Sequence, residues 1–173
     1  MTVEDPWKVS GRDFPKSGQA EDKLQFLLNY AVLAPSGHNT QPWLFNVSGD
    51  AVELHVDRAR SLPVVDPEDR ALVISCGAAL FFLRTAIRHF GHADEVRTFL
   101  PDPDNPDLLA EVRLGAPYEA TTEEHQLFEA ITKRRANRSP FQEQDIAQEV
   151  VDALEAAATG EGGVVAHSAG RGH

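Results

Sequence analysis

Apolar side chains recur along this chain with two periods, and the alternation between them predicts its elements. From Glu21 to Ala34, Leu24, Leu27, Leu28, Ala31 and Val32 fall at helical spacing. Trp43 to Val47 and Val52 to Val56 are short runs of apolar and β-branched residues joined across Ser48-Gly49-Asp50, a composition that predicts two antiparallel strands and a hairpin loop. Asp66-Pro67-Glu68-Asp69 carries helix-start signals: an acid at the N-cap, proline at the first helical position and acids in the first turn. The helix is predicted to run from Pro67 to about Phe90 and to stop at Gly91. Glu95 to Leu100 and Leu109 to Leu114 read as two more strands, separated by the proline-rich loop Pro101 to Pro106. Thr121 and Glu124 have capping-box spacing and open a helix through Leu127, Phe128 and Ile131 to about Arg135. A last helix is predicted from Asp145 to Ala158.

These elements describe an α+β fold, a small and mostly antiparallel sheet packed by helices. Residues 1–20, polar and punctuated by Pro6, Gly11, Pro15 and Gly18, read as an irregular arm, and the glycine-rich residues 160–173 as a flexible end. Gly77 in the middle of the long helix costs roughly 1 kcal/mol relative to alanine. The expected reason is close packing, by a neighbouring helix or by a bound ring.

Composition narrows the function classes. A chain of 173 residues, 42% hydrophobic and 25% charged, has the make-up of a globular domain with a core of its own. Its formal net charge of −11 argues against a nucleic-acid surface and against docking to anionic lipid. The longest apolar run, Ala71 to Leu83, is shorter than the ~20 residues of a bilayer span and reads as a buried helix. The acidic Met1 to Pro6 has no export-signal pattern, and one cysteine forms no internal disulfide, so a cytoplasmic location is expected.

Ala34-Pro35-Ser36-Gly37-His38-Asn39-Thr40-Gln41-Pro42-Trp43 is the stretch hardest to explain as packing. Pro35 turns Ala34 away from the helical region and so ends the first helix, while Gly37 permits a positive φ and a close backbone approach. Ser36, Asn39, Thr40 and Gln41 are neutral donors and acceptors, suited to reading a planar polar ring, and no carboxylate stands among them. By its residues alone the stretch is equally an Asx or Ser/Thr turn leading Trp43 into the core. The one dense basic cluster, Lys133-Arg134-Arg135-Ala136-Asn137-Arg138, either answers the dipole at a helix C-terminus or captures an anion, for which arginine forks suit a phosphate.

Resemblance favours the functional alternative in both places. The pattern Ala-Pro-Ser-x-x-Asn-x-Gln-Pro-Trp at residues 34–43 resembles the signature of the FMN-dependent nitroreductase family. The resemblance implies a nitroreductase-like fold with FMN as cofactor, Pro35, Ser36, Gly37, His38, Asn39 and Gln41 forming a lip beside the flavin ring. Arg134 and Arg138 fit the two basic positions of the family's phosphate-holding segment, with Arg135 and Asn137 beside them and Phe141 at its aromatic position; Ala136 stands where a hydroxyl is expected. In the family that segment precedes the lip, whereas here it follows. Together with a loose likeness of Ala153–Thr159 to Leu28–Ala34, this order is similar to the double-length Acg-like branch, in which two halves of one chain imitate the usual dimer. On that reading residues 21–120 are a first repeat and 121–159 the start of an incomplete second.

The resemblance further implies NAD(P)H as reductant, nitro or quinone-like acceptors, and a homodimer or pseudo-dimer. Its alternative is a degenerate relative that binds or sequesters flavin without turnover. No side chain is expected to act as acid or base. Cys76, in the most apolar helix, reads as a buried structural thiol. His89 and His92, expected on one helix face at i, i+3, lack a third ligand for a metal and suit a helix C-terminus better.

Overall fold

The computed structural model describes residues 5–98, 104–140 and 142–164. It divides into two compact units, Met1–Ala136 and Asn137–His173. The first is a four-stranded antiparallel sheet covered by three helices. Strands β1 (Trp43–Ser48), β2 (Ala51–Val56), β3 (His92–Thr98) and β4 (Leu108–Pro117) stand in the order β1-β2-β4-β3. Helices α1 (Ala20–Ala31), α2 (Arg70–His89) and α3 (Thr122–Lys133) complete the unit. The fold is α+β with an antiparallel sheet, as the apolar pattern predicts; Leu100 and part of the proline-rich loop fall outside the described residues.

The hairpin β1–β2 turns on Gly49 and Asp50, and Gly49 adopts the left-handed φ of 60° that such a tight turn requires. Its register sets Phe45 opposite Leu54 and Val47 opposite Val52, while Val52 and Val96 both stand opposite Val112. This alternation turns Val52, Leu54, Val56, Ala110 and Val112 onto the covered face. Leu24, Leu27, Tyr30 and Ala31 of α1 close over it with Leu83, Ala86 and Ile87 of α2. Each leucine fully removed from water here contributes about 1.5–3 kcal/mol.

α2 starts one turn later than its sequence signals suggest. Asp69 precedes it with φ 54° and makes no side-chain cap. The capping group is Asp66, whose carboxylate accepts from the amides of Ala71 and Leu72 at 3.0 and 2.9 Å. The proline and acids therefore build the turn before the helix, and those amides hold the Asp66 carboxyl below the usual carboxylate range. The helix does end before Gly91, at φ 88°.

Gly77 also departs from expectation. It is exposed, and a Cβ placed there meets nothing within 4 Å among the described residues, so no helix packs close to it. At 20 residues α2 is longer than the apolar run that marks it, and by length and composition alone it could cross a bilayer. Its inward residues Leu72, Cys76, Ala79 and Leu83 are nonetheless buried, which makes it the central helix of this core. His92 opens β3 rather than sharing the helix of His89, because Gly91 ends α2 between them.

The arm carries two single helical turns, Pro6–Lys8 and Gly11–Asp13, and is tied down where Phe14 stacks on Phe90 with ring centroids 4.3 Å apart. The Thr121–Glu124 capping box forms as read, opening α3. In the second unit, helix α4 (Gln148–Gly160) begins later than the predicted Asp145.

Candidate functional site

The lip leaves α1 through two tightened turns, Leu33 N–H to Tyr30 O and Ala34 N–H to Ala31 O, each 3.1 Å. After Pro35, an extended Ser36 leads into a single helical turn at Gly37–Asn39. Left-handed backbone is found at His38 (φ 52°), Asn39 (φ 60°) and Gln41 (φ 50°), while Gly37 is not among the positive-φ residues. The positive φ expected at the glycine is found instead on three residues with side chains. Asn tolerates this region, whereas histidine and glutamine pay about 1–3 kcal/mol each, a strain that persists only where surrounding contacts impose it.

Those contacts come from distant parts of the chain. Ser75 Oγ accepts the Gly37 amide proton at 3.1 Å and donates to Ala71 O at 2.7 Å. Cys76 Sγ donates to Pro42 O at 3.2 Å, and the same carbonyl accepts from Asp57 N at 2.9 Å. Arg60 Nη1 donates to Thr40 O at 3.0 Å while its Nε holds Asp57. Inside the lip, Ser36 Oγ accepts from the Gln41 amide at 3.0 Å, leaving the hydroxyl proton free to be donated. Ser75, Cys76 and Arg60 did not stand out in the sequence as parts of this site; a serine inside an apolar helix was the available signal, since a buried hydroxyl requires partners.

Among the described residues, the side chains of His38, Asn39 and Gln41 make no hydrogen bond. Pro35, Gly37, His38 and Asn39 are exposed and Ser36 and Gln41 half-buried. Anchored backbone thus presents an imidazole and two amides without partners among the described residues, together with a hydroxyl whose proton is uncommitted.

The basic cluster divides. Arg134, at the end of α3, reaches the lip: its Nη2 donates to Leu33 O at 3.1 Å, and its buried Nε has no partner. Arg135 lies with its guanidinium carbon 4.0 Å from the centre of the Trp7 ring and donates to the carbonyls of Thr132 and Arg134, a helix C-terminal role. Asn137 and Arg138 belong to the second unit, where the Asn137 side chain accepts from the Ser139 amide at 3.0 Å. Phe141 lies outside the described residues.

Two clefts of the first unit are lined by residues other than the lip. One, of about 1040 Å³, runs between the arm and α1, past Asp5, Val9, Asp13, Phe26 and Asn29. The other, of about 460 Å³, lies under Phe14 and beside His89 and His92.

Cys76 is buried, and burial pushes its thiol up to about 11, so it packs rather than reacts. His89 instead pairs across helices, its Nδ1 2.9 Å from Nδ1 of His125 and its ring stacked on Phe128 at 3.6 Å. No group of three or more metal-ligating side chains gathers among the described residues.

No protein-family model matches the sequence. Curated relatives do. The chain is 37% identical over 123 residues to the uncharacterized protein Rv3127 of Mycobacterium tuberculosis, covering 66% of this chain and 36% of that protein. To the same organism's "Putative NAD(P)H nitroreductase acg" it is 35% identical over 130 residues, 75% of this chain and 39% of the relative. To the "Probable NAD(P)H nitroreductase PigM" of Serratia it is 40% identical over 76 residues, 42% of this chain and 21% of the relative. The match therefore spans well under half the length of these relatives. Taken with the lip motif, that similarity makes the chain a member of the nitroreductase family.

Proposed function

We propose that this chain supplies the ring-facing part of an FMN site in an NAD(P)H-dependent oxidoreductase of nitroreductase type. The observation that carries the reading is the set of polar groups available on an anchored, strained lip: the Ser36 hydroxyl proton and the side chains of His38, Asn39 and Gln41, which have no partner among the described residues. They fit the alternating donors and acceptors along the edge of an isoalloxazine ring, and Pro35 and Gly37 allow the ring to come close.

Arg134 is the first-unit residue proposed for the phosphate end: it stands at the family's basic position, its Nη2 donates to Leu33 O beside the lip, and its Nε has no partner among the described residues. Arg135 is already engaged by Trp7 and the end of α3. Bound FMN would supply the redox chemistry, taking a hydride from NAD(P)H and passing electrons to a nitro or quinone-like acceptor. The protein groups bind, orient and exclude water, and none is required as acid or base. In this proposal the opposite wall of the site comes from a second copy of this chain, as in the dimer that the family resemblance implies.

The test is direct. The purified protein should take up FMN and turn yellow, NAD(P)H should bleach it, and a nitroaromatic should restore the colour. Colour that NAD(P)H leaves untouched would identify a flavin-holding protein without turnover; a protein that takes up no FMN would refute both.

A further inference from the structure

We infer that Ser75 is a positioning residue for the flavin ring, acting through the backbone of the lip. The inference rests on the FMN reading above and concerns a residue outside the family-like motif. Ser75 is 4% exposed and sits mid-helix in α2. Its hydroxyl proton is committed to the Ala71 carbonyl one turn back at 2.7 Å, which fixes the rotamer and aims an oxygen lone pair at the Gly37 amide, 3.1 Å away. Its neighbour Cys76 holds the far end of the same loop through Pro42 O at 3.2 Å. Two consecutive residues of the core helix thus fix both ends of the segment whose three left-handed residues, His38, Asn39 and Gln41, would relax if one end were released. Ser75 touches no ligand-facing group; it sets the spacing at which the Ser36, Asn39 and Gln41 side chains meet one ring.

The experiment compares the full chain with S75A and S75T. Two quantities are read: hydrogen exchange at the Gly37 amide, and affinity for FMN and for lumiflavin, which carries the ring without the phosphate arm. S75A is expected to speed exchange at Gly37 and to weaken FMN and lumiflavin by the same factor, roughly five- to tenfold, as loss of one hydrogen bond dictates. S75T, which keeps the hydroxyl, is expected to restore both.

Wild-type affinity for both flavins in S75A would overturn the proposal. So would a loss in S75A that a folded S75T does not repair, or a loss confined to FMN. A wild-type protein that binds neither flavin would refute the FMN reading itself and reduce Ser75 to a structural contact, a result distinct from flavin bound equally by wild type and S75A.

Discussion

The Arg134 guanidinium donates to the Leu33 carbonyl at 3.1 Å, joining the end of α3 to the start of the lip across 101 positions of sequence. Of the residues proposed to hold phosphate, it is the one in the first unit that hydrogen-bonds to the turn leading into the lip, and its Nε has no partner among the described residues.

Replacing Arg134 with alanine should therefore weaken FMN by roughly 1.5–3 kcal/mol, the worth of a charge-assisted bond. Riboflavin, which lacks the phosphate, should be affected much less. Arg134→Lys should recover only part of the loss, since an ammonium cannot reproduce the fork. Parallel titrations with the two flavins check this; equal losses would assign Arg134 to the lip backbone through Leu33 instead.

Gln41 separates binding from folding. Its side chain makes no hydrogen bond among the described residues, so Gln41→Ala should leave stability within about 0.5 kcal/mol of wild type. FMN affinity should nevertheless fall. Urea unfolding and a flavin titration on the same preparation test the pair of expectations.

Asp94 carries the opposite prediction. Its side chain is 4% exposed and held by Arg84 at 2.6 Å and by Arg88, which also reaches Glu124 at 3.0 Å. Asp94→Ala leaves Arg84 without its carboxylate and Arg88 with Glu124 alone, and should cost about 2 kcal/mol in urea unfolding, water offsetting part of the loss at these partly exposed guanidinium groups.

Acid should loosen the contact between α2 and α3. Burial, and then the neighbouring His125, hold His89 below the ordinary histidine range, with Glu129 opposing them; burial and Lys23 do the same to His92. The unfolded chain takes up these protons near pH 6.5, before the folded chain does. Stability is thus fully present above about pH 6.5 and is lost as pH falls through the depressed folded values. The urea midpoint should drop between neutral and mildly acid pH, and His89→Phe, which keeps the stack on Phe128, should shrink the drop.

The elements legible in the sequence are those fixed by local rules. The apolar and β-branched run from Val52 to Val56 beside the Ser48–Asp50 turn marked β2, and the capping-box spacing of Thr121 and Glu124 marked the start of α3. Asp66 was recognised as a cap but misplaced by a turn, because a carboxylate reaching across a proline-containing loop looks the same in sequence as one at the N-cap. Gly77 invited a packing explanation that the open face of α2 does not supply. The motif residues of the lip were found by resemblance. Their left-handed backbone was not, because Ser75, Cys76 and Arg60 impose it from elsewhere in the chain and nothing within residues 35–42 encodes those contacts.

Titrating the purified chain with FMN and following flavin fluorescence tests the central claim most directly. Saturable quenching that is weakened by both Gln41→Ala and Arg134→Ala is the predicted result. An FMN signal that stays linear to millimolar concentration, or saturable binding indifferent to both substitutions, would contradict it.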